Sequence, residues 1–248
     1  MSRTDRAGSY RHKQSAAELV DLRFGQGLTP LSAMIEVADR CNEACVHCYQ
    51  VQGQKGEMST DELRRVMDEL SELGVIFLTI SGGEPTLRKD FLELVEHARK
   101  RRFAVKIYSN GLRIDEKLAQ RLGQLAVQEV QLSLYSRKPE VHDAVTRVPG
   151  SFQRTVQAAK HLRAAGVAVV LKSPLMSVNQ DDVTAYADWV RSLGADYSMD
   201  QLSRFIDRGV REKMQRVATG EEAVESQAAA GGRQLIDLRA LMRGKFRR

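Results

Sequence analysis

The sequence predicts an α/β protein whose parallel strands build a partial, TIM-like (βα)6 barrel, and three observations predict it. From about residue 33 to 200, short β-rich runs alternate with amphipathic helices. Strand starts near 75, 103, 127, 167 and 195 recur about every thirty residues, long enough for a crossover between parallel neighbours. Six such units can be counted, where eight would close a full barrel. A flat, doubly wound sheet of the same units is the alternative.

The first strand reads Ala33–Val37, and a cysteine-bearing loop follows it. Ser59 and Glu62 then form a capping-box pattern. Leu63, Val66, Met67, Leu70 and Leu73 recur at helical spacing, which predicts a helix ending at Gly74. Val75–Ile80 is a continuous apolar run, as expected of a parallel strand covered on both faces. Phe91, Leu94, Val95 and Ala98 mark the next helix and Phe103–Tyr108 the third strand. Val127–Leu134 is the fourth strand. A helix from about Phe152 to Ala165 stops at Gly166 before the strand Val167–Lys172. A helix starting near Asn179 carries Val183, Tyr186, Ala187, Val190 and Leu193, and Ala195–Met199 is the sixth strand.

Beyond Asp200 the rhythm weakens. Leu202–Val217 and Leu235–Met242 have helical character, separated by an Ala-, Gly-, Glu- and Gln-rich stretch. The chain therefore divides into an N-terminal extension (1–29), a core (30–200) and a C-terminal helix with a basic tail (201–248) expected to be weakly ordered. The tail is either a natural compact end or a truncated one.

With 248 residues, 42% of them hydrophobic, the chain can bury a substantial core. The net charge of +6 gathers at the ends, from Arg3 to Lys13 and from Arg239 to Arg248. No aromatic pattern for stacking bases accompanies it, which argues against nucleic acid as a partner. No apolar run reaches the length of a membrane span and residues 1–15 hold no apolar signal core, so the expectation is a cytoplasmic protein with no membrane partner.

All three cysteines fall within eight residues, in Cys41-Asn-Glu-Ala-Cys45-Val-His-Cys48-Tyr49. Such a cluster, with no other cysteine to pair with, indicates metal rather than a disulfide framework. Three thiolates on a short loop can hold three irons of a cubane cluster and leave the fourth iron open. A tetrahedral zinc held with His47 is the competing assignment, although His47 adjoins Cys48.

The C-x3-C-x2-C spacing followed by an aromatic resembles the radical SAM superfamily. The resemblance implies that Cys41, Cys45 and Cys48 each ligate one iron of a [4Fe–4S] cluster, with S-adenosylmethionine (SAM) on the fourth. It further implies reductive cleavage of SAM to a 5′-deoxyadenosyl radical that abstracts hydrogen from a substrate. Tyr49 matches the aromatic near the adenine.

Later motifs extend the resemblance over about residues 30–200. Ser81-Gly82-Gly83-Glu84-Pro85 follows the second strand. Its glycines permit close backbone approach to a ligand, and by resemblance the segment contacts the SAM ammonium. Ser109-Asn110-Gly111 ends the third strand and resembles the family's Thr-Asn-Gly. Ser133 ends the fourth, at a position matched to SAM ribose or carboxylate contacts, and Lys172 on the fifth is within reach of the carboxylate. Outside such a context, the two serines read as ordinary strand-end hydroxyls and the lysine as a solvated one.

His142–Phe152 and Leu171–Met176 resemble the peptide-modifying, SPASM-type branch of the family. Many members of that branch carry a cysteine-rich auxiliary-cluster extension. No cysteine follows Cys48, so the expectation is a single-cluster protein without it. The implied substrate is a ribosomal precursor peptide or a related small molecule, and the implied electron donor a flavodoxin or ferredoxin. The competing readings are an inactive or truncated radical SAM-like binding protein and a zinc-stabilised protein that binds a partner.

Overall fold

The computed structural model describes residues 30–200, except 49, 51–55, 177 and 180–182. The two outer segments and the helices expected in 201–248 lie outside the described residues. Six parallel strands form one sheet: β1 (Ser32–Ala38), β2 (Phe77–Gly82), β3 (Ala104–Ser109), β4 (Glu129–Ser133), β5 (Ala168–Pro174) and β6 (Asp196–Asp200). Their order in the sheet is the order in the chain. Between them run α1 (Thr60–Glu72), α2 (Phe91–Lys100), α3 (Glu116–Gln124), α4 (Pro139–Thr146), α5 (Ser151–Ala164) and α6 (Val183–Ser192).

The strand order decides between the two architectures. A doubly wound sheet reverses direction at a switch point and so covers both faces. Here the order never reverses, and crossovers of one hand place every helix on the same side. Burial agrees. Ile35 and Val37, Leu78 and Ile80, Val105 and Ile107, Val130 and Leu132, Val169 and Leu171 all lie in one core with Leu63, Val66, Leu94, Leu122, Leu162 and Val190 of the helices. Each fully buried aliphatic side chain contributes roughly 1.5–3 kcal/mol over its exposed state, so this face holds the sheet to its helices. The other face is half-buried and largely polar: Thr79, Lys106, Tyr108, Glu129, Gln131 and Lys172. Lys106 pairs with Glu129 at 3.5 Å in register across β3 and β4. This is the concave face of an open six-unit barrel. It corrects the expectation that β2 is covered on both sides, because Phe77 remains 40% exposed.

The helix ends follow their sequence signals. Ser59 caps α1 in a complete capping box with Glu62. Leu63, Val66, Met67 and Leu70 are buried, whereas Leu73 is exposed at the C-cap, past the last turn. Gly74 follows it at φ +88°. Asp115 caps α3, a helix the sequence pattern does not reveal. The stretch from His142 to Phe152 is not a plain loop. It is the end of α4, a left-handed Arg147 and the start of α5. No helix among the described residues is long and apolar enough to cross a membrane.

Candidate metal and cofactor site

The cysteine loop leaves the C-terminal end of β1, and its backbone is fastened at two places. The Ala44 and Val46 N–H groups donate to the carbonyls of Thr146 (3.1 Å) and Val145 (2.9 Å), at the end of α4. That end is itself braced. Asp143 accepts from Gly150 N, Ser151 Oγ and Phe152 N at 2.6–2.9 Å, closing the corner between α4 and α5. These donors hold its carboxyl below the usual range, against the opposing effect of burial. The distinctive His142–Phe152 segment is therefore the scaffold of the cysteine loop.

The turn after β2 packs directly on the exit of β1. Gly83 N donates to Ala38 O and Glu84 N to Arg40 O, both at 2.8 Å. A Cβ on Gly82 would lie 2.4 Å from Ala38 O, and one on Gly83 2.3 Å from Arg40 O. The glycines thus admit the neighbouring backbone. Pro85 opens a short 3-10 turn, Pro85–Leu87.

Glu84 is fully buried. Its Oε1 accepts from Thr86 N (3.0 Å), Thr86 Oγ1 (2.5 Å) and Ser109 Oγ (2.9 Å), and its Oε2 from Asn110 N (2.7 Å). Burial raises its pKa, and the four donors counter that rise. The carboxylate thus ties the β2 exit to the β3 exit. Asn110 carries the link onward: its Nδ2 donates to Asn42 Oδ1 at 2.7 Å and approaches Cys41 Sγ at 3.7 Å. Ser109 Oγ, besides donating to Glu84, accepts from Gly111 N at 3.0 Å.

The sulfurs have unequal surroundings. Cys41 Sγ accepts from Glu43 N at 3.4 Å, in addition to the Asn110 contact. Cys45 Sγ lies 3.2 Å from Glu43 Oε2 and 3.7 Å from the Tyr135 hydroxyl. Cys48 Sγ faces the Gln50 carbonyl at 3.9 Å. Burial pushes the Cys41 thiol up to about 11 and the Cys45 thiol higher still. Glu43, also buried, is pushed up to about 7. A thiolate here is costly unless a cation takes up its charge.

A bound cation would supply that compensation, and the three thiols suit a cluster that would spread them over several irons. Among the described residues, no group of three or more His, Cys, Asp or Glu side chains is placed to hold a single metal ion. A cubane spreads its ligands, one thiolate to each iron. Ser133 ends β4 and is half-buried, and Lys172 Nζ lies 4.9 Å from the Tyr108 ring centroid on the concave face. Tyr49 lies outside the described residues. Sequence reasoning missed Tyr135, Glu43 and the α4–α5 brace. Only the clustering of Asp143, Gly150 and Ser151, the vocabulary of a helix cap, signalled the last.

The site and sheet together define a class: a parallel α/β barrel with a cysteine loop at its C-terminal mouth. Residues 35–190 match the radical SAM superfamily, and the chain belongs to it. The cofactors of that enzyme family are a [4Fe–4S] cluster and SAM. Mycofactocin maturase MftC of Mycobacterium ulcerans is 41% identical over 173 residues, 67% of this chain and 47% of the relative. PqqA peptide cyclase of Granulibacter bethesdensis is 28% identical over 169 residues, 67% of this chain and 45% of the relative. The chain spans about half the length of these curated relatives. Streptococcus suis SuiB bound to S-adenosylmethionine superposes with a TM-score of 0.63 at 17% identity, over 78% of this chain and 48% of SuiB. SuiB bound to its precursor peptide SuiA gives 0.64, also at 17% identity, over 84% of this chain and 50% of SuiB. At that identity the likeness establishes the fold.

Proposed function

We propose that residues 30–200 form a radical SAM core that acts in peptide maturation. Cys41, Cys45 and Cys48 hold a [4Fe–4S] cluster. The strand ends bearing Gly82–Pro85, Ser109–Asn110 and Ser133, together with Tyr49, receive SAM. When bound, this pair supplies a one-electron cleavage of SAM that yields a 5′-deoxyadenosyl radical for hydrogen abstraction. The residues of the chain supply placement. The α4–α5 corner fixes the loop, Glu84 and Asn110 register the β2 and β3 exits against it, and the half-buried concave face receives the substrate. One observation carries the reading: the exits of β1, β2 and β3 are joined by hydrogen bonds into one unit, centred on buried Glu84 and reaching Cys41.

The peptide substrate is supported by the similarity to maturases and peptide cyclases, and a flavodoxin or ferredoxin is the proposed electron donor. The test is anaerobic reconstitution with iron and sulfide, followed by dithionite and SAM. About four irons per chain, 5′-deoxyadenosine in the products and loss of both in Cys41→Ala are expected. Zinc in the anaerobically purified protein, with no cluster absorbance after reconstitution, overturns the proposal.

A further inference from the structure

Tyr135 lies just beyond β4, and nothing in the proposed function uses it. Its ring is 5% exposed. It stands edge-on to His47 at 4.8 Å and stacks on His142 at 5.3 Å, with an interplanar angle of 22°. Its main-chain N–H donates to His142 Nδ1 at 3.1 Å. Its carbonyl accepts from Asn179 Nδ2 at 2.9 Å and from Ser173 Oγ at 3.5 Å. His47 of the cysteine loop and His142 of α4 flank the ring, Ser173 and Asn179 hold its main chain, and its hydroxyl is 3.7 Å from Cys45 Sγ.

A buried phenol needs a hydrogen-bond partner. Cys45 Sγ stands within reach of it. In the free protein either the thiol or the phenol can donate. A cysteine bound to iron has no proton left, so its sulfur can only accept. The direction of the bond is then settled by chemistry. We infer that Tyr135 donates a hydrogen bond to the Cys45 thiolate of the loaded site and raises the reduction potential of the cluster. Hydrogen bonds to the sulfurs are among the levers that set such potentials. Reduction adds negative charge to the cluster and its thiolates, so a donor favours the reduced state. At Cys41 the donors are Glu43 N and the Asn110 amide. At Cys48 the neighbour is a carbonyl oxygen, an acceptor. Tyr135 is the side-chain donor aimed at Cys45, where it offsets the Glu43 carboxylate at 3.2 Å.

The inference rests on the proposed cluster, and the experiment separates the two. The reconstituted full chain is titrated anaerobically without SAM, with the reduced cluster followed by electron paramagnetic resonance. Tyr135→Phe keeps the ring and removes the donor. Its midpoint is expected to move negative, so that at the wild-type midpoint the reduced-to-oxidised ratio falls roughly three- to tenfold; tenfold is about 59 mV for one electron. Tyr135→3-fluorotyrosine, a stronger donor, is expected to move it positive, and it decides the matter should the Phe variant fail to assemble a cluster. Tyr186→Phe removes another buried hydroxyl, one that bonds the Leu134 carbonyl at 2.7 Å, and is expected to leave the midpoint in place. Wild-type and Tyr135-variant midpoints that coincide in fully loaded proteins overturn the inference and leave the cluster standing. An equal shift in Tyr186→Phe also overturns it, because the effect is then one of packing. A wild type that assembles no cluster overturns both.

Discussion

Glu84 and His142 show how buried polar groups are used around the site. Four donors converge on Glu84. Glu84→Gln replaces an acceptor oxygen with an NH2 that faces donors, leaving buried groups unpaired at about 1–3 kcal/mol each. Urea unfolding is expected to show a loss of roughly 2–4 kcal/mol, and the Glu84→Gln protein should take up iron poorly, because the turns around Cys41 lose their common anchor. His142 works in the opposite sense. It is fully buried, its Nδ1 accepts from Tyr135 N, and burial pulls its pKa down to about 4 from an ordinary 6.5. Between those values the unfolded chain holds a proton that the folded chain does not. Stability is therefore complete above the ordinary value and is lost as pH falls towards 4. At 1.36 kcal/mol per unit the ceiling is about 3 kcal/mol. Urea midpoints measured between pH 7 and pH 4.5 should fall, and His142→Gln should flatten that slope.

Elements are joined at this site by backbone as much as by side chains. Gly82 and Gly83 let the β2 exit touch the β1 exit, with Gly83 N and Glu84 N donating to Ala38 and Arg40. Gly83→Ala puts a methyl 2.3 Å from Arg40 O, a collision of Cβ with a main-chain carbonyl that no rotamer relieves. A cost of roughly 2–4 kcal/mol is expected, together with impaired cluster loading. Gly150→Ala is the comparison. Its φ is +76° but nothing lies within 4 Å of its Cβ, so about 1 kcal/mol is expected. Calorimetry on both variants, with iron content on each, separates collision from backbone strain. At this scale the sequence was legible where a pattern was long or a cap was explicit. The four buried positions of α1 and its Ser59–Glu62 box are such a case. It was not legible for α3, whose nine residues bury only Ala119 and Leu122, too few for a period to show. Nor was it legible for the α4–α5 corner, whose role exists only because the cysteine loop returns to it from about a hundred residues earlier.

Across the described residues, the cysteine loop, Gly82–Pro85, Ser109–Asn110 and Ser133 lie at C-terminal strand ends, and the consecutive strand order brings those ends to one rim. The formal charge is +6, and a flavodoxin is acidic. Reduction by flavodoxin is accordingly expected to slow as ionic strength rises, because screening removes the long-range attraction. Stopped-flow rates between 50 and 500 mM salt, roughly, check this; a flat profile counts against that donor. By itself the sequence determined the α/β class, the six-unit rhythm and, through the motif carried by Cys41, Cys45 and Cys48, the resemblance to the radical SAM family. These are local properties, since period, cap and spacing are written in neighbouring residues. Only the tertiary structure decided that the sheet is a one-sided open barrel, that Glu84 ties the strand exits together, and that Tyr135 meets Cys45. Each of those depends on groups far apart in the chain, some ninety residues in the last case, and no local pattern encodes which distant partner a buried polar group will find.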